Sequence, residues 1–391
     1  MLDNIKYNFD EEINRKNTNC AKYDGLKRYF GYEDLNPLWV ADMDFKTPSF
    51  INDAIINAAK NSLYGYSIDS DEIYQSIINW QNTQHNWQIN KEDIYMINGV
   101  VPAYSACIEA FSEENDEVIV QTPIYPPLFK CVNANNRKVV VNELKKDETG
   151  YYTMDLEDLE SKITSKTKIL ALCSPHNPVG RVWSKEELEK LANICIKHNI
   201  IIVSDEIHSD ITFKKFTPLA SISKEIANQT ITLNSAGKTF NIAGLNSAYA
   251  ISKNQKILDK FKKIAQKREI QSINFFGYVA TKAAYDNGAL FVEELKKYLL
   301  SNIKFTKNYL KKNNSKIAFK PPEATYLLWL DFSRYNLSHN EIKNILLTKS
   351  KIALNDGVSF GNNGNGYFRL NLALSQNSLE IALSQLSKEF L

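Results

Sequence analysis

The sequence predicts an α/β protein, a mostly parallel sheet of seven strands between layers of helices, followed by a smaller α+β region. Three observations predict it. Between about residues 90 and 250, short β-branched runs alternate with helical patterns, the rhythm of β-α-β units. Several of these runs are apolar almost throughout, Ile200-Ile-Ile-Val203 above all, as strands covered on both faces require. Beyond about residue 286 that alternation gives way to one long helical stretch and isolated strand patterns.

Taken in order, the expected strands are residues 94–98, 117–121, 138–142, 168–173, 200–204, 230–234 and 247–251. Helices between them imply right-handed crossovers and parallel pairing. Residues 184–198 read as one such helix, because Ser184-Lys-Glu-Glu187 forms a capping box at its start. Later come a long helix at 289–313, a strand-like run at 325–331, a helix at 338–349, a strand-like run at 367–373 and a final helix. Gly361-Asn-Asn-Gly-Asn-Gly366 does not join a strand to a helix with dinucleotide-binding spacing, so it reads as a flexible loop.

A chain of 391 residues is too long for one compact core, so two domains are expected. Its 47 basic and 45 acidic residues leave a net charge of +2, which gives no electrostatic reason to expect nucleic acid or an anionic membrane as partner. Lys262-Lys263 and Lys311-Lys312 read as solvated helix faces. Cys20, Cys107, Cys131, Cys173 and Cys195 are scattered without a Cys-x-x-Cys pair, which suits core residues in a reducing compartment better than disulfides or a metal site. Residues 1–10 lack the apolar stretch of a secretory leader, and no run approaches a membrane span. The expectation is a cytoplasmic protein with no metal centre.

Four segments at predicted strand ends carry the residues suited to chemistry, and ligands of open parallel sheets sit beyond the carboxyl ends of strands. Lys238 follows the strand at 230–234 within Asn234-Ser-Ala-Gly-Lys-Thr239. Alone it is equally an ordinary loop lysine. Asp205 directly follows the strand expected at 200–204; an acid there is costly to bury unpaired, and a helix cap or core ion pair would also explain it. Asn177 lies in Ser174-Pro-His-Asn-Pro-Val-Gly180, which could be no more than a tight turn. Asn98-Gly-Val-Val101 opens a helical pattern whose first N–H groups would form an anion site.

The order anion site, Asn, Asp, Ser-x-x-Lys resembles the aminotransferase-like, fold-type I pyridoxal-phosphate enzymes over nearly the whole chain. The segments beginning Pro37-Leu-Trp-Val-Ala-Asp-Met-Asp-Phe45, Tyr64-Gly-Tyr-Ser67, Pro123-Ile-Tyr-Pro-Pro127, His176-Asn-Pro-Val-Gly180, Asp205-Glu-Ile-His208, Lys238-Thr-Phe-Asn-Ile-Ala-Gly244 and Pro322-Glu-Ala-Thr-Tyr326 look like the MalY/PatB group of cystathionine β-lyases. The resemblance implies pyridoxal 5'-phosphate as cofactor, with residues 46–285 as the large cofactor-binding domain. Residues 1–45 and 286–391 would then form the small one.

Carried over residue by residue, it implies that Lys238 holds the cofactor as a Schiff base and shuttles protons once displaced. Asp205 would pair with the pyridinium nitrogen, Asn177 with the ring hydroxyl, and Tyr125 would stack on the ring. His208 would approach the same side of the ring, a packed histidine being the other reading. Val100, Val101, Ser235 and Tyr64 would hold the phosphate, Tyr64 reaching across from a second subunit, so a homodimer is implied. Arg369 would clamp the substrate carboxylate, the alternative being a surface charge on an edge strand. Gly237 and Asn246 depart from many relatives: Gly237 replaces a small polar residue and Asn246 a phosphate-binding arginine.

The implied reaction is β-elimination on cystathionine, cysteine or another S-substituted cysteine, giving a thiol, pyruvate and ammonia. Two other readings stay open here. One is an aminotransferase sharing every cofactor contact; the other is a cofactor-binding regulatory protein with residual lyase activity.

Overall fold

The computed structural model describes residues 7–390. Seven strands form the main sheet: β1 (Ile94–Ile97), β2 (Glu117–Thr122), β3 (Lys138–Glu143), β4 (Thr167–Cys173), β5 (Ile201–Asp205), β6 (Thr230–Asn234) and β7 (Ala248–Ile251). Their order is β1-β7-β6-β5-β4-β2-β3, and only β7 runs antiparallel to its neighbours.

Alternate side chains of the central strands enter two different apolar clusters, which is why these strands lack polar alternation. Val118, Val120, Ile169, Ala171 and Val203 face one cluster with helices Val100–Phe111 and Gln255–Lys267. Ile119, Leu170, Leu172 and Ile202 face the other with helix Lys185–Lys197. Ser184 caps that last helix as expected, its hydroxyl accepting from Glu187 N while the Glu187 carboxylate accepts from Ser184 N.

A second sheet of three strands, β8 (Leu327–Asp331), β9 (Asn355–Asp356) and β10 (Tyr367–Asn371), is ordered β8-β10-β9 and antiparallel. The expected strand 325–331 starts two residues late, because Thr325 adopts φ 70° and breaks the extended run. The long helix Ala289–Lys312 and the final helix Gln376–Glu389 pack beside this sheet. The early segment joins them: Asn36–Pro37 pairs in parallel with Ile352–Ala353, and Phe9, Leu38, Met43 and Phe45 enter the same core. Residues 1–6 of the expected N-terminal segment lie outside the described residues.

The glycine-rich stretch corrects the expectation of a flexible loop. It forms a short 3-10 turn, Asn362–Gly364, whose backbone lies against that of the preceding turn Gly357–Phe360. A Cβ on Gly364 would come within 1.9 Å of the Gly357 carbonyl, and Asn363 donates to Thr122 O at 3.0 Å. Gly364 permits this close backbone contact, while Gly361 at φ 133° and Gly366 at φ 80° supply the positive φ that turns the chain.

Candidate active site

Three neighbouring strands deliver the polar residues. Asp205 is the last residue of β5 and sits in register with Cys173 of β4 and Leu233 of β6. Asn177 follows β4 by four residues, and Lys238 follows β6 by the same interval. Glu206, next along from Asp205, turns away to Ser204 Oγ and Leu219 N, and burial pushes its carboxyl up to about 8.

The charged groups here are buried and touch only neutral partners. Lys238 Nζ donates to the Ala41 carbonyl at 2.7 Å. Arg369 donates to Asn177 Oδ1 and to the Trp39 carbonyl, each at 3.0 Å, and to Asn355 Oδ1. Its Nε has no partner. The Asp205 side chain accepts from the backbone N–H of Ile207 at 3.2 Å. Burial therefore dominates each titration: Lys238 falls to about 8 and Arg369 to about 10, while Asp205 rises to about 6.

His208 is buried, and the loss of solvation, reinforced by Lys238 and Arg369, lowers it to about 3. It is thus a neutral imidazole whose Nδ1 has no partner. The Tyr125 hydroxyl is raised by burial and by Asp205 and lowered by Arg369, which places it in the same electrostatic field. Val100 and Val101 open helix Val100–Phe111, and the first bond across the turn runs from Ala103 N to Gly99 O. Their N–H groups precede the helical ladder. Ser235 is buried, and its hydroxyl donates to Ser247 O at 2.6 Å and accepts from Gly237 N at 3.0 Å, bracing the turn before Lys238.

Tyr64 stands apart from the other predicted residues in this chain. It is 63% exposed, its hydroxyl donates to Ala59 O at 3.2 Å, and its ring lies 5.7 Å from that of Phe276. Conversely, the structure adds groups without a predicted role. Asn355 and the carbonyls of Trp39 and Ala41 hold Arg369 and Lys238, and Tyr326 donates to the Ala41 carbonyl at 3.0 Å. The segment 39–44 is itself fixed: Arg15 grips Asp42 and Asp44, Lys22 reaches Asp44, and Asn371 donates to Val40 O. Among the described residues, no group of three or more His, Cys, Asp or Glu side chains could hold a metal ion.

Residues 39–386 match the family described as aminotransferase class I and II. Cystathionine beta-lyase PatB of Bacillus subtilis is 37% identical over 97% of this chain and 98% of its own length. A PLP-bound structure from Clostridium difficile 630 superposes with a TM-score of 0.96 at 45% identity, covering 98% of this chain and 99% of that one. Cystalysin from Treponema denticola, which contains a pyridoxal 5'-phosphate cofactor, superposes with a TM-score of 0.95 at 32% identity, covering 98% and 99%.

Proposed function

The chain belongs to the class I and II aminotransferase family, and from that premise we propose that it is a pyridoxal-phosphate-dependent carbon–sulfur β-lyase. Its substrates would be cystathionine, cysteine or another S-substituted cysteine, and its products a thiol, pyruvate and ammonia. The observation that carries the lyase reading within the family is the likeness to PatB, which spans nearly the whole of both chains.

The residues present suit the cofactor. Two buried cations and one buried acid bonded only to neutral groups are costly as they stand, and a ligand carrying both anionic oxygens and a protonatable nitrogen would offset them. Lys238 would attach to the cofactor through its amine, Asp205 would pair with the ring nitrogen, Asn177 and His208 would border the ring, and Tyr125 would lie on its face. Val100, Val101, Ser235 and Tyr64 would hold the phosphate. When bound, pyridoxal phosphate supplies an electron sink for the carbanion formed at Cα.

This chain's own residues do the rest. Arg369 holds the substrate carboxylate in a planar, two-pronged grip, which fixes the amino acid's orientation. The neutral amine of Lys238, favoured by a pKa near 8, removes the Cα proton and returns a proton to the departing sulfur. Asp205, buried and raised to about 6, is ionised at neutral pH without a charged partner in contact, so its task is electrostatic and a cation placed opposite would hold its charge more firmly.

The chain is further proposed to act as a homodimer in the cytoplasm, with Tyr64 completing a partner's site. Supporting this, Leu63, Tyr64, Tyr66 and Ile68 are all exposed within one segment, Leu63 to 80% and Ile68 to 88%. The two-domain division, residues 46–285 against 1–45 with 286–391, is part of the same proposal. Among the described residues no helix is long and apolar enough to cross a membrane.

The test is to incubate purified protein with cystathionine and with cysteine while measuring pyruvate and free thiol. Both should accumulate together. If no pyruvate forms while an added 2-oxo acid becomes aminated, the chain is a transaminase.

A further inference from the structure

The carbonyl oxygen of Ala41 accepts two hydrogen bonds, one from Lys238 Nζ at 2.7 Å and one from the Tyr326 hydroxyl at 3.0 Å. Tyr326 is fully buried, and its ring meets that of His208 edge-on at 6.2 Å. The residue before it is strained. Thr325 is β-branched yet holds φ 70°, a conformation that costs about 1–3 kcal/mol and persists only when its surroundings impose it. They do so from both sides: Thr325 N donates to Ile211 O at 2.8 Å, Leu327 N donates to Thr325 Oγ1 at 3.2 Å, and Ala324 bridges to Thr212. This clamp aims Tyr326 at the one carbonyl that also holds the lysine.

We propose that Tyr326 is a positioning residue for Lys238: by sharing the Ala41 carbonyl, its hydroxyl sets where the free amine rests and weakens that oxygen's hold on the ammonium form. Two donors on one carbonyl compete for its electron density, and the charged donor loses more. The amine then sheds its proton more readily and stands neutral when it must take the proton from Cα. Other groups act on the same amine. Arg369 also favours the neutral form, Asp42 and Asp205 oppose it, and Arg15 partly neutralises Asp42. His208 and Tyr125 face the site uncharged. The assignment rests on the role of Lys238 given under Proposed function.

The variant is Tyr326→Phe, which removes the hydroxyl and keeps the ring. In the full-length chain stripped of cofactor, acetic anhydride labelling of Lys238 across pH, read by peptide mass spectrometry, follows the amine's titration directly. Its midpoint should rise by about 0.2–0.6 pH unit, a fraction of one charge-assisted hydrogen bond. In the holoenzyme the acid limb of the kcat profile should move the same way, with kcat at pH 7 down about 1.5–4-fold and KM unchanged. Thr325→Gly, which accepts positive φ without strain, deletes the Oγ1 acceptor of Leu327 N and leaves the Tyr326 and Lys238 side chains in place, should give a smaller shift of the same sign. An unmoved titration in Tyr326→Phe, or a kcat loss that merely tracks loss of folded protein, overturns the proposal. A shifted midpoint in a protein that makes no pyruvate supports this assignment and sinks the lyase reading alone.

Discussion

The floor of the site hangs from the ends of β4, β5 and β6, whereas the wall around Arg369 is assembled from residues 39–42, Asn355 and Tyr326. In the floor, Asn177, Asp205 and Lys238 are placed by parallel ladders whose many backbone bonds fix each strand end against the next. In the wall, Arg369 and Asn355 are paired neighbours on the antiparallel sheet, but the segment 39–42 that closes over them is held by single hydrogen bonds across long stretches of sequence: Arg369 to Trp39 O, Lys238 to Ala41 O, Asn371 to Val40 O. The floor should therefore tolerate loss of a polar contact without losing its geometry, and its residues should act on the chemical step. The wall should loosen whenever one contact goes, and its residues should act first on substrate binding.

The largest effect expected is from Lys238→Ala, which deletes the proton carrier proposed for the floor. Activity should fall by at least about 10³-fold, and the visible absorbance of bound cofactor that borohydride abolishes in the parent should be missing. Asp205→Ala comes next, at about 10²–10⁴-fold in kcat, against roughly tenfold for Asn177→Ala. Equal losses in steady-state assays would break the claim that Asp205 acts through its charge.

Arg369→Lys tests the wall. Replacing a two-pronged donor by a point charge should raise KM about 10–100-fold and leave kcat within a few-fold. A kcat loss instead would move Arg369 from binding to chemistry.

The smallest effect separates the floor's stability from its function. The Asp205 carboxyl is raised in the fold from an ordinary value of 3.8 to about 6. A raised pKa contributes stability that is full below the unfolded value and fades as pH climbs through the folded one. The cofactor-free chain should thus lose about 1–3 kcal/mol between pH 4 and pH 7 on this account. Asp205→Asn should reduce that slope in chemical denaturation, leaving the part that Glu206, raised to about 8, contributes with the same sign, while sharply lowering turnover. A slope left unchanged by the substitution would assign it wholly to Glu206 and other groups.

The contrast also explains what could be read in advance. Ile200-Ile-Ile-Val203 announces a strand covered on both sides, and β5 runs one residue beyond the expected end, so that Asp205 itself pairs in register with Cys173. Polar residues just past such runs stand out because nothing apolar explains them. The wall sends no comparable signal. Its acceptors are largely backbone carbonyls, which every residue owns, and Asn355 follows Ile352-Ala353-Leu354 without any motif to mark it. Tyr326 was visible as part of a motif, but its purpose depends on Thr325 being held at positive φ, which a β-branched residue does not advertise. Gly357 and Gly364 were legible as glycines and not as each other's neighbours.

The exposed run from Leu63 to Ile68 has a consequence in genetics. If Tyr64 serves another copy's site, a gene damaged at Tyr64 and a gene damaged at Lys238 are complementary: each hybrid assembly pairs the sound lysine of one product with the sound tyrosine of the other. Two null alleles placed in one cell would then restore growth that neither supports alone, and two alleles both damaged at Lys238 would not.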